Sequence, residues 1–190
     1  SAMSETVVLD ACCLINLAAA DALGTWLGGL GLTWMLPEAV LHEALFLRGG
    51  GAAADEAETA DGTEPVRGHL MLEPHIAGGL LTIVQPETDA ELAAYVDLAR
   101  ELDDGEAMAL AIAQRRGWQL ATDDRKAIRL ADEARVPVLT TPTVVRRWAD
   151  QLGPSAADLR AALTAIRDRA RFLPSGRDPL CDWWLGQLRA

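Results

Sequence analysis

The stretch from Trp118 to Ala131 constrains the fold of this chain more than any other part of the sequence. It begins as a short apolar run, passes through Thr122 and two adjacent aspartates, and continues as an amphipathic helical pattern. We interpret it as a buried strand that leads into a helix, and open α/β sheets place their functional sites at such junctions. Asp10 has the same position after the apolar run at residues 7–9. Two strand ends with acidic residues predict a site at the carboxyl edge of a parallel sheet.

Short apolar segments alternate with amphipathic ones along most of the chain, which predicts an α/β fold. We expect a three-layer α/β/α sandwich on a parallel sheet of about four to five strands, with a C-terminal helical hairpin. The predicted strands cover residues 5–10, 32–36, 80–84, 118–122 and 136–139. The predicted helices cover residues 12–23, 88–102, 106–116, 125–133, 143–152, 155–173 and 180–188, and a further helix begins at Pro37.

Two breaks in this pattern define the predicted domain organisation. Four glycines in the segment 24–31 are expected to end the first helix. The segment 49–64 is rich in Gly, Ala and acidic residues, and its apolar residues do not recur at the spacing of a helix or a strand. It is predicted to be a flexible insertion. We therefore expect an α/β domain over residues 3–152 and a helical extension over residues 153–190.

The composition excludes several classes of protein. Half of the residues are hydrophobic, which supports a packed core and argues against global disorder. The sequence has no apolar run long enough for a transmembrane helix and no secretory signal, so we expect a cytoplasmic protein without a membrane partner. The three cysteines lack a zinc-binding spacing and are interpreted as small apolar side chains in a reducing compartment.

The net charge of −11 argues against a nucleic-acid partner, but its uneven distribution weakens that argument. Residues 1–100 contain three basic and fifteen acidic side chains, whereas residues 101–190 contain fourteen basic and thirteen acidic ones. A cluster of acids that binds metal ions would also add negative charge that the ions neutralise. The second half of the chain therefore remains compatible with an anionic substrate.

Acidic residues near several predicted strand ends are candidates for one site. A parallel fold brings such residues to the same edge of the sheet, where clustered carboxylates repel each other unless Mg²⁺ or Mn²⁺ relieves the repulsion. Those ions also activate water for phosphodiester hydrolysis, which is the chemistry that we expect here. The candidates are Asp10, Glu43, Glu106, Asp123 and Asp124.

Each candidate also has a simpler interpretation. Asp10 can cap the helix that follows it, as can one member of the pair Asp123 and Asp124. Glu106 suits the first turn of a helix because the helix dipole favours an acid there, and Glu43 can lie on a solvated helix face. Thr122 can offer its hydroxyl to a metal shell or a phosphate, or it can form a local turn bond.

Three segments resemble the PIN-domain family in order and spacing over roughly residues 6–140: VVLDACCLINL, LPEAVLHEAL and DDGEAMALAIAQRRGWQLATDDR. The resemblance implies a Mg²⁺- or Mn²⁺-dependent ribonuclease that cleaves single-stranded RNA. It implies a catalytic set of Asp10, Glu43, Glu106 and Asp124, with the metal held by Asp10, Glu106, Asp124 and Asp123. The GEA form of the third segment is similar to PIN proteins close to VapC-type toxins, which implies membership in a toxin–antitoxin pair with an antitoxin-like protein partner. A homodimer is also implied.

Basic residues near these acids are candidates for binding the RNA backbone. Arg125, Lys126 and Arg115 can neutralise phosphates that flank the cleaved bond, and Thr122 is the candidate polar contact. No aromatic motif for reading single-stranded bases is present, so we expect little base selection.

Two departures from the family pattern leave a second interpretation open. Family members often have Ser, Thr or Asn two residues after the first acid, whereas this chain has Cys12, and a thiol is a poor partner for a hard cation. Glu106 replaces the more common aspartate and is one methylene longer. The alternative is a catalytically degraded PIN-like module that binds RNA or a protein partner without cleaving RNA.

Overall fold

The computed structural model describes residues 5–49 and 71–189, which form five parallel strands with helices on both sides of the sheet. The strands are β1 (Glu5–Leu9), β2 (Leu32–Pro37), β3 (Leu81–Val84), β4 (Gln119–Ala121) and β5 (Val138–Leu139). Their order across the sheet is β3-β2-β1-β4-β5. The predicted three-layer α/β/α sandwich is therefore confirmed.

Strand β1 lies at the centre because its sequence is apolar without alternation. Val7, Val8 and Leu9 are fully buried, as expected for a parallel strand covered on both faces. Leu9 pairs with Ala121 of β4, so Asp10 and Thr122 follow at neighbouring positions on the carboxyl edge. Strand β2 lies on one side of β1 in the sheet and β4 lies on the other, so the strand order reverses at β1. The carboxyl ends of β1 and β4 therefore form the topological switch point, where open α/β sheets bind ligands.

Ten helices lie in the described ranges. They are α1 (Ala11–Ala19), α2 (Leu23–Gly29), α3 (Glu38–Gly49), α4 (Glu73–Ala77), α5 (Asp89–Leu98), α6 (Asp104–Arg116), α7 (Arg125–Glu133), α8 (Thr141–Leu152), α9 (Ala156–Arg169) and α10 (Cys181–Arg189). Side chains that the sequence offers as caps fix several of the helix starts. Thr88 and Glu91 form a reciprocal capping box at α5, and the Ser155 hydroxyl accepts a hydrogen bond from the amide of Asp158 at α9.

The glycine-rich segment 24–31 is helical over most of its length, so the prediction of a break there was wrong. The first helix ends earlier, at Ala19, and Asp21 adopts a positive φ of 55° before α2 begins. Trp26 and Leu27 bury the inner face of α2, and a Cβ at Gly29 would lie only 2.6 Å from Leu152 Cδ1. Close packing against α8 therefore explains the glycine and outweighs its low helix propensity.

The C-terminal helices pack onto the sandwich. Helix α9 contacts α1, and α10 contacts α9. Leu163, Ile166 and Trp184 are fully buried and belong to the same hydrophobic cluster as β1. The division at residues 152 and 153 remains a prediction. Of the predicted flexible insertion at 49–64, Gly49 is the last residue of α3, and the rest lies outside the described residues.

No single helix in the described part of the chain is long and apolar enough to cross a membrane. The bent pair Ala11–Ala19 and Leu23–Gly29, with an angle of 113° between its helices, meets the length and composition criteria only when both helices are taken together.

Candidate active site

Asp10 is the buried centre of the site. It is 1 % exposed at the end of β1, where its Oδ1 accepts a hydrogen bond from the amide of Ala11 at 2.6 Å. Its Oδ2 accepts hydrogen bonds from the Thr122 hydroxyl at 2.8 Å and from the Cys12 thiol at 3.1 Å. Burial nevertheless raises the pKa of Asp10, because three hydrogen bonds only partly replace the water that the carboxylate has lost. Asp10 therefore caps α1 and also presents a poorly solvated carboxylate.

Cys12 takes the place of a hydroxyl donor beside Asp10. Its Sγ donates to Asp10 Oδ2 and accepts a hydrogen bond from the amide of Asp123 at 3.3 Å. Burial, followed by the negative charge of Asp10, raises the pKa of the Cys12 thiol, so the group stays neutral at physiological pH. Cys12 therefore links the ends of β1 and β4 as a hydrogen-bonding group and not as a thiolate.

The two adjacent aspartates after β4 have different roles. Asp124 is the N-cap of α7, and its Oδ1 accepts hydrogen bonds from the amides of Lys126 and Ala127, both at 2.8 Å. Asp123 points toward α1 and α8. Its Oδ1 accepts from the amide of Thr141 at 2.9 Å, and its Oδ2 accepts from Asn16 Nδ2 at 3.0 Å and from the Thr141 hydroxyl. Both oxygens of Asp123 are thus engaged, whereas Asp124 Oδ2 makes no hydrogen bond within the described ranges.

Glu106 and Glu43 approach the same region from two helices. Glu106 occupies the first turn of α6, where its Oε2 accepts a hydrogen bond from the Asp103 amide at 3.4 Å in a capping box. Burial, followed by the charges of Asp10 and Asp124, raises the pKa of Glu106 to about 7. Burial and the charge of Asp10 also raise the pKa of Glu43. The field of Asp10 therefore acts on both glutamates.

We call Asp10, Glu43, Glu106 and Asp124 the acidic cluster. Among the described residues, no group of three or more His, Cys, Asp or Glu side chains is close enough to enclose a metal ion as the side chains stand. The donor chemistry nevertheless fits a hard divalent cation, because every group in the cluster is a carboxylate. Among the described residues, the charges that act on Glu43 are all carboxylates and all raise its pKa.

The structure brings only some of the predicted substrate-binding residues to this site. Thr122 is fully buried beside Asp10, and Arg125 and Lys126 are exposed in the first turn of α7. The Lys126 amine donates to the backbone carbonyl of Glu101. Arg115 lies in the last turn of α6, nine residues from Glu106 and therefore about 13 Å along the helix axis. The structure thus places Arg115 away from the acidic cluster.

Sequence reasoning missed two contributors to the site. Asn16 on α1 is 5 % exposed and donates to Asp123. Thr141 was not considered, although it is fully buried and donates from both its amide and its hydroxyl to the same carboxylate. The polar run at 140–143 directly after β5 was the available signal, since it marks a third strand end at the same edge.

The chain matches the model of a known protein family. The family model DUF3368, described as a PIN domain, matches residues 6–177, from β1 to the segment beyond α9. The match therefore includes every member of the acidic cluster and most of the C-terminal region. A search of curated proteins found no match.

Proposed function

The chain belongs to the PIN-domain family, and from this premise we propose that it is a divalent-metal-dependent endoribonuclease that cleaves single-stranded RNA. PIN domains are generally nucleases and typically use divalent metals. RNA as the substrate and the dependence of this chain on Mg²⁺ or Mn²⁺ are parts of our proposal.

The observation that carries the proposal is the electrostatic coupling within the acidic cluster. Burial and the charges of Asp10 and Asp124 raise the pKa of Glu106 to about 7, and Asp10 also raises the pKa of Glu43. A fold that gathers carboxylates at its switch point accepts a free-energy cost unless a cation binds there. Asp10 and Asp124 cap helices and Glu106 belongs to a capping box, but Glu43 lies inside α3 and caps no helix start, so capping does not account for the whole cluster.

Each residue of the cluster has a role in the proposed reaction. Asp10, Glu106 and Asp124 would hold the Mg²⁺ or Mn²⁺ ion, which when bound supplies an activated water and neutralises charge on the phosphate. Glu43 has a raised pKa, which suits it to orient the attacking water and accept its proton. Thr122 and Cys12 hold Asp10 Oδ2 in position. The Arg125 guanidinium would neutralise a neighbouring phosphate.

The biological setting of this activity is a proposal drawn from family likeness. We propose that the protein acts in the cytoplasm, where free thiols such as Cys12, Cys13 and Cys181 stay reduced. Membership in a toxin–antitoxin pair would require an antitoxin-like protein partner, and a homodimer is the assembly that we expect.

Two measurements on the same proteins test the proposed function. Calorimetric titration with Mn²⁺ should give saturable binding to the intact chain and none to the Asp10→Asn variant. Cleavage of a fluorescently labelled single-stranded RNA should require Mn²⁺ or Mg²⁺ and fall by at least about 100-fold in Asp10→Asn. Asp97→Asn is the matched control, because Asp97 lies on the exposed face of α5 and, among the described residues, pairs only with Arg100.

The outcomes distinguish a nuclease from the alternative, a catalytically degraded module that binds RNA without cleaving it. Loss of metal binding and cleavage in Asp10→Asn, with Asp97→Asn unchanged, supports the nuclease. RNA binding without metal-dependent cleavage, and without any effect of Asp10→Asn, would instead identify a degraded module that only binds RNA.

A further inference from the structure

A cleft of about 660 Å³ lies between α7, β5 and the segment 172–179 that connects α9 to α10. This volume is within the range of pockets that bind small ligands, about 300–1,000 Å³. Ile128 and Val138 contribute apolar surface, and Phe172 lines the opposite wall. The Phe172 ring is held by an edge-to-face contact with the buried Trp184, with ring centroids 5.9 Å apart. The cleft therefore has an ordered, partly aromatic wall.

The cleft begins beside the acidic cluster. Asp123 and Arg125, the two sequence neighbours of Asp124, both line it. Thr140, at the carboxyl end of β5, lines it as well. A strand of RNA with a phosphate at Asp124 would therefore have the cleft as the adjacent space for its next nucleotide.

The arginines of the cleft differ in whether they are already paired. Arg129 forms ion pairs with Glu101 and Glu133. The guanidinium groups of Arg125 and Arg177 make no hydrogen bond or ion pair with any residue in the ranges 5–49 and 71–189. They belong to different parts of the lining, Arg125 to α7 and Arg177 to the segment 172–179.

The acidic residues of the cleft form no ion pair with Arg125 or Arg177 in the described part of the chain. Asp178 accepts hydrogen bonds from the Thr140 hydroxyl at 3.4 Å and from the amide of Leu180 at 2.8 Å. Asp123 is engaged by Asn16 and Thr141. Asp132 is seven residues along α7 from Arg125, about 10 Å away along the helix axis. The cleft thus offers two guanidinium groups that form no ion pair with the described residues.

We propose that this cleft binds the nucleotide next to the scissile phosphodiester, with Arg125 and Arg177 contacting phosphate oxygens and Phe172 contacting the base. This inference rests on the proposed function, since the scissile bond is placed at the acidic cluster. Guanidinium groups match phosphate geometry, and an aromatic ring accepts any base by stacking, so the site binds RNA with little sequence preference. The C-terminal segment is therefore part of the substrate-binding surface.

The test measures binding and cleavage separately. Binding of a fluorescein-labelled eight-nucleotide single-stranded RNA is followed by anisotropy in Mg²⁺, with Asp10→Asn as the background that prevents turnover. Arg177→Gln in that background should raise Kd about tenfold and reduce the slope of log K against log salt by about 0.7. Phe172→Leu, which keeps an apolar side chain against Trp184, should raise Kd by at least about fivefold.

Arg115→Gln is the matched control, because Arg115 is also exposed and unpaired within the described ranges but lies at the far end of α6. It should change Kd by less than about twofold. In the wild-type background, Arg177→Gln should raise KM for RNA cleavage and leave kcat nearly unchanged. The circular dichroism spectrum and Tm of each variant show whether it is folded.

The results distinguish failure of this inference from failure of the proposed function. If Asp10→Asn abolishes cleavage but Arg177→Gln and Phe172→Leu bind RNA like Arg115→Gln, the nuclease stands and the cleft proposal is overturned. Equal losses in Arg177→Gln and Arg115→Gln would also overturn it, since they would show a general effect of charge. If neither the wild type nor any variant cleaves RNA, but Arg177→Gln weakens RNA binding and Arg115→Gln does not, the result supports RNA binding in the cleft and contradicts the proposed nuclease activity.

Discussion

Gly105 determines where the carboxylate of Glu43 can lie. A Cβ atom built on Gly105 in the first turn of α6 would overlap Glu43 Oε2, and it would also lie 3.5 Å from Val40 Cγ2. Glutamate can relieve that overlap by rotating, so the cost in folding free energy is small. The rotation would nevertheless change the position of the carboxylate within the acidic cluster.

We therefore expect Gly105→Ala to reduce activity without reducing stability. Metal-dependent RNA cleavage should fall by about tenfold or more, because Glu43 no longer lies where it can orient water. The free energy of unfolding should stay within about 1 kcal/mol of wild type, since alanine favours the helix. Cleavage rates and urea unfolding, measured on the same preparation, check both statements.

Gly186→Ala is the control for this substitution. Gly186 lies inside α10, and a Cβ there would meet nothing within 4 Å. Gly186→Ala should leave cleavage unchanged and stabilise the protein by up to about 1 kcal/mol. Equal cleavage by Gly105→Ala and wild type would show that the position of Glu43 does not depend on Gly105.

The raised pKa of Glu106 predicts how stability depends on pH. Its pKa is about 7 in the folded protein against an ordinary value of 4.5, so the folded state holds this proton more tightly than the unfolded state. The contribution of Glu106 to stability is complete below pH 4.5 and is lost as pH rises to about 7. Tm measured in EDTA should therefore decrease over this interval, and the decrease should be smaller in Glu106→Gln. An equal decrease in both proteins would contradict the prediction.

At the scale of single residues, the sequence predicted the acidic residues of the site better than the residues that form hydrogen bonds with them. Asp10 and Asp124 were recognisable because each follows a short apolar strand, and a strand end is a local feature. The hydrogen-bond partners of Asp123 lie far from it in sequence, with Asn16 at a separation of 107 residues and Thr141 at a separation of 18. Contacts over such separations are set by tertiary packing, to which a single sequence gives no direct access.

At the scale of elements, a buried ion pair ties α5 to α6. Glu91 in the first turn of α5 accepts a hydrogen bond from Arg116 Nε at 2.6 Å, and the two side chains are 3 % and 16 % exposed. Arg116 also donates to the backbone carbonyl of Gln85 and lies over the ring of Trp118. The Arg116 guanidinium is therefore already engaged within the protein.

We predict that Glu91→Gln destabilises the protein by about 2 kcal/mol at pH 7, since it leaves the partly buried Arg116 with only the longer ion pair to the exposed Glu87, at 3.4 Å. The hydrogen bond from Arg116 is the main cause that lowers the pKa of Glu91 to about 2. The stabilisation is therefore present above pH 4.5 and is lost as pH falls toward 2. Urea unfolding should show the difference between the two proteins shrinking over that range. A difference that stays constant would exclude the ion pair as its source.

The sequence predicted the ends of an element correctly where a capping residue and the spacing of apolar residues indicate the same boundary. It failed where tertiary packing determines the boundary. Helix α7 has the predicted limits, because the Asp124 cap and the apolar period both mark its start. Pro37 ends β2 instead of opening α3, since it pairs with Val84 in the sheet. The short helix α4 was not predicted, because five residues contain too little periodicity to reveal it.

At the scale of the whole molecule, Trp184 attaches the C-terminal helices to the common core. It is fully buried within the cluster that contains β1. Trp184→Ala should lower the free energy of unfolding by about 3–5 kcal/mol, with urea unfolding remaining a single transition. Leu173→Ala, at a side chain that is 50 % exposed, is the control and should cost less than about 1 kcal/mol. Two separate transitions would show that residues 153–190 are an independent unit.

The overall fold was the most predictable property of this chain. The alternation of apolar strands and amphipathic helices determines a parallel sheet, since short links and right-handed crossovers leave few other arrangements. The packing of the C-terminal helices onto the core was less predictable, because the sequence does not distinguish a buried tryptophan from a surface one. Trp184 is fully buried whereas its neighbour Trp183 stays partly exposed beside Arg146.

The placement of β4 beside β1 has a consequence for the timing of protein synthesis. The Thr122 hydroxyl that holds Asp10 arrives 112 residues after its partner, and Asp124 arrives later still. A ribosome makes a chain from its N-terminus at about 5–20 residues per second, so a growing chain spends several seconds with Asp10 but without β4. During that interval the acidic cluster is incomplete. A nuclease built in this way would remain inactive at least until β4 and Asp124 have been synthesised.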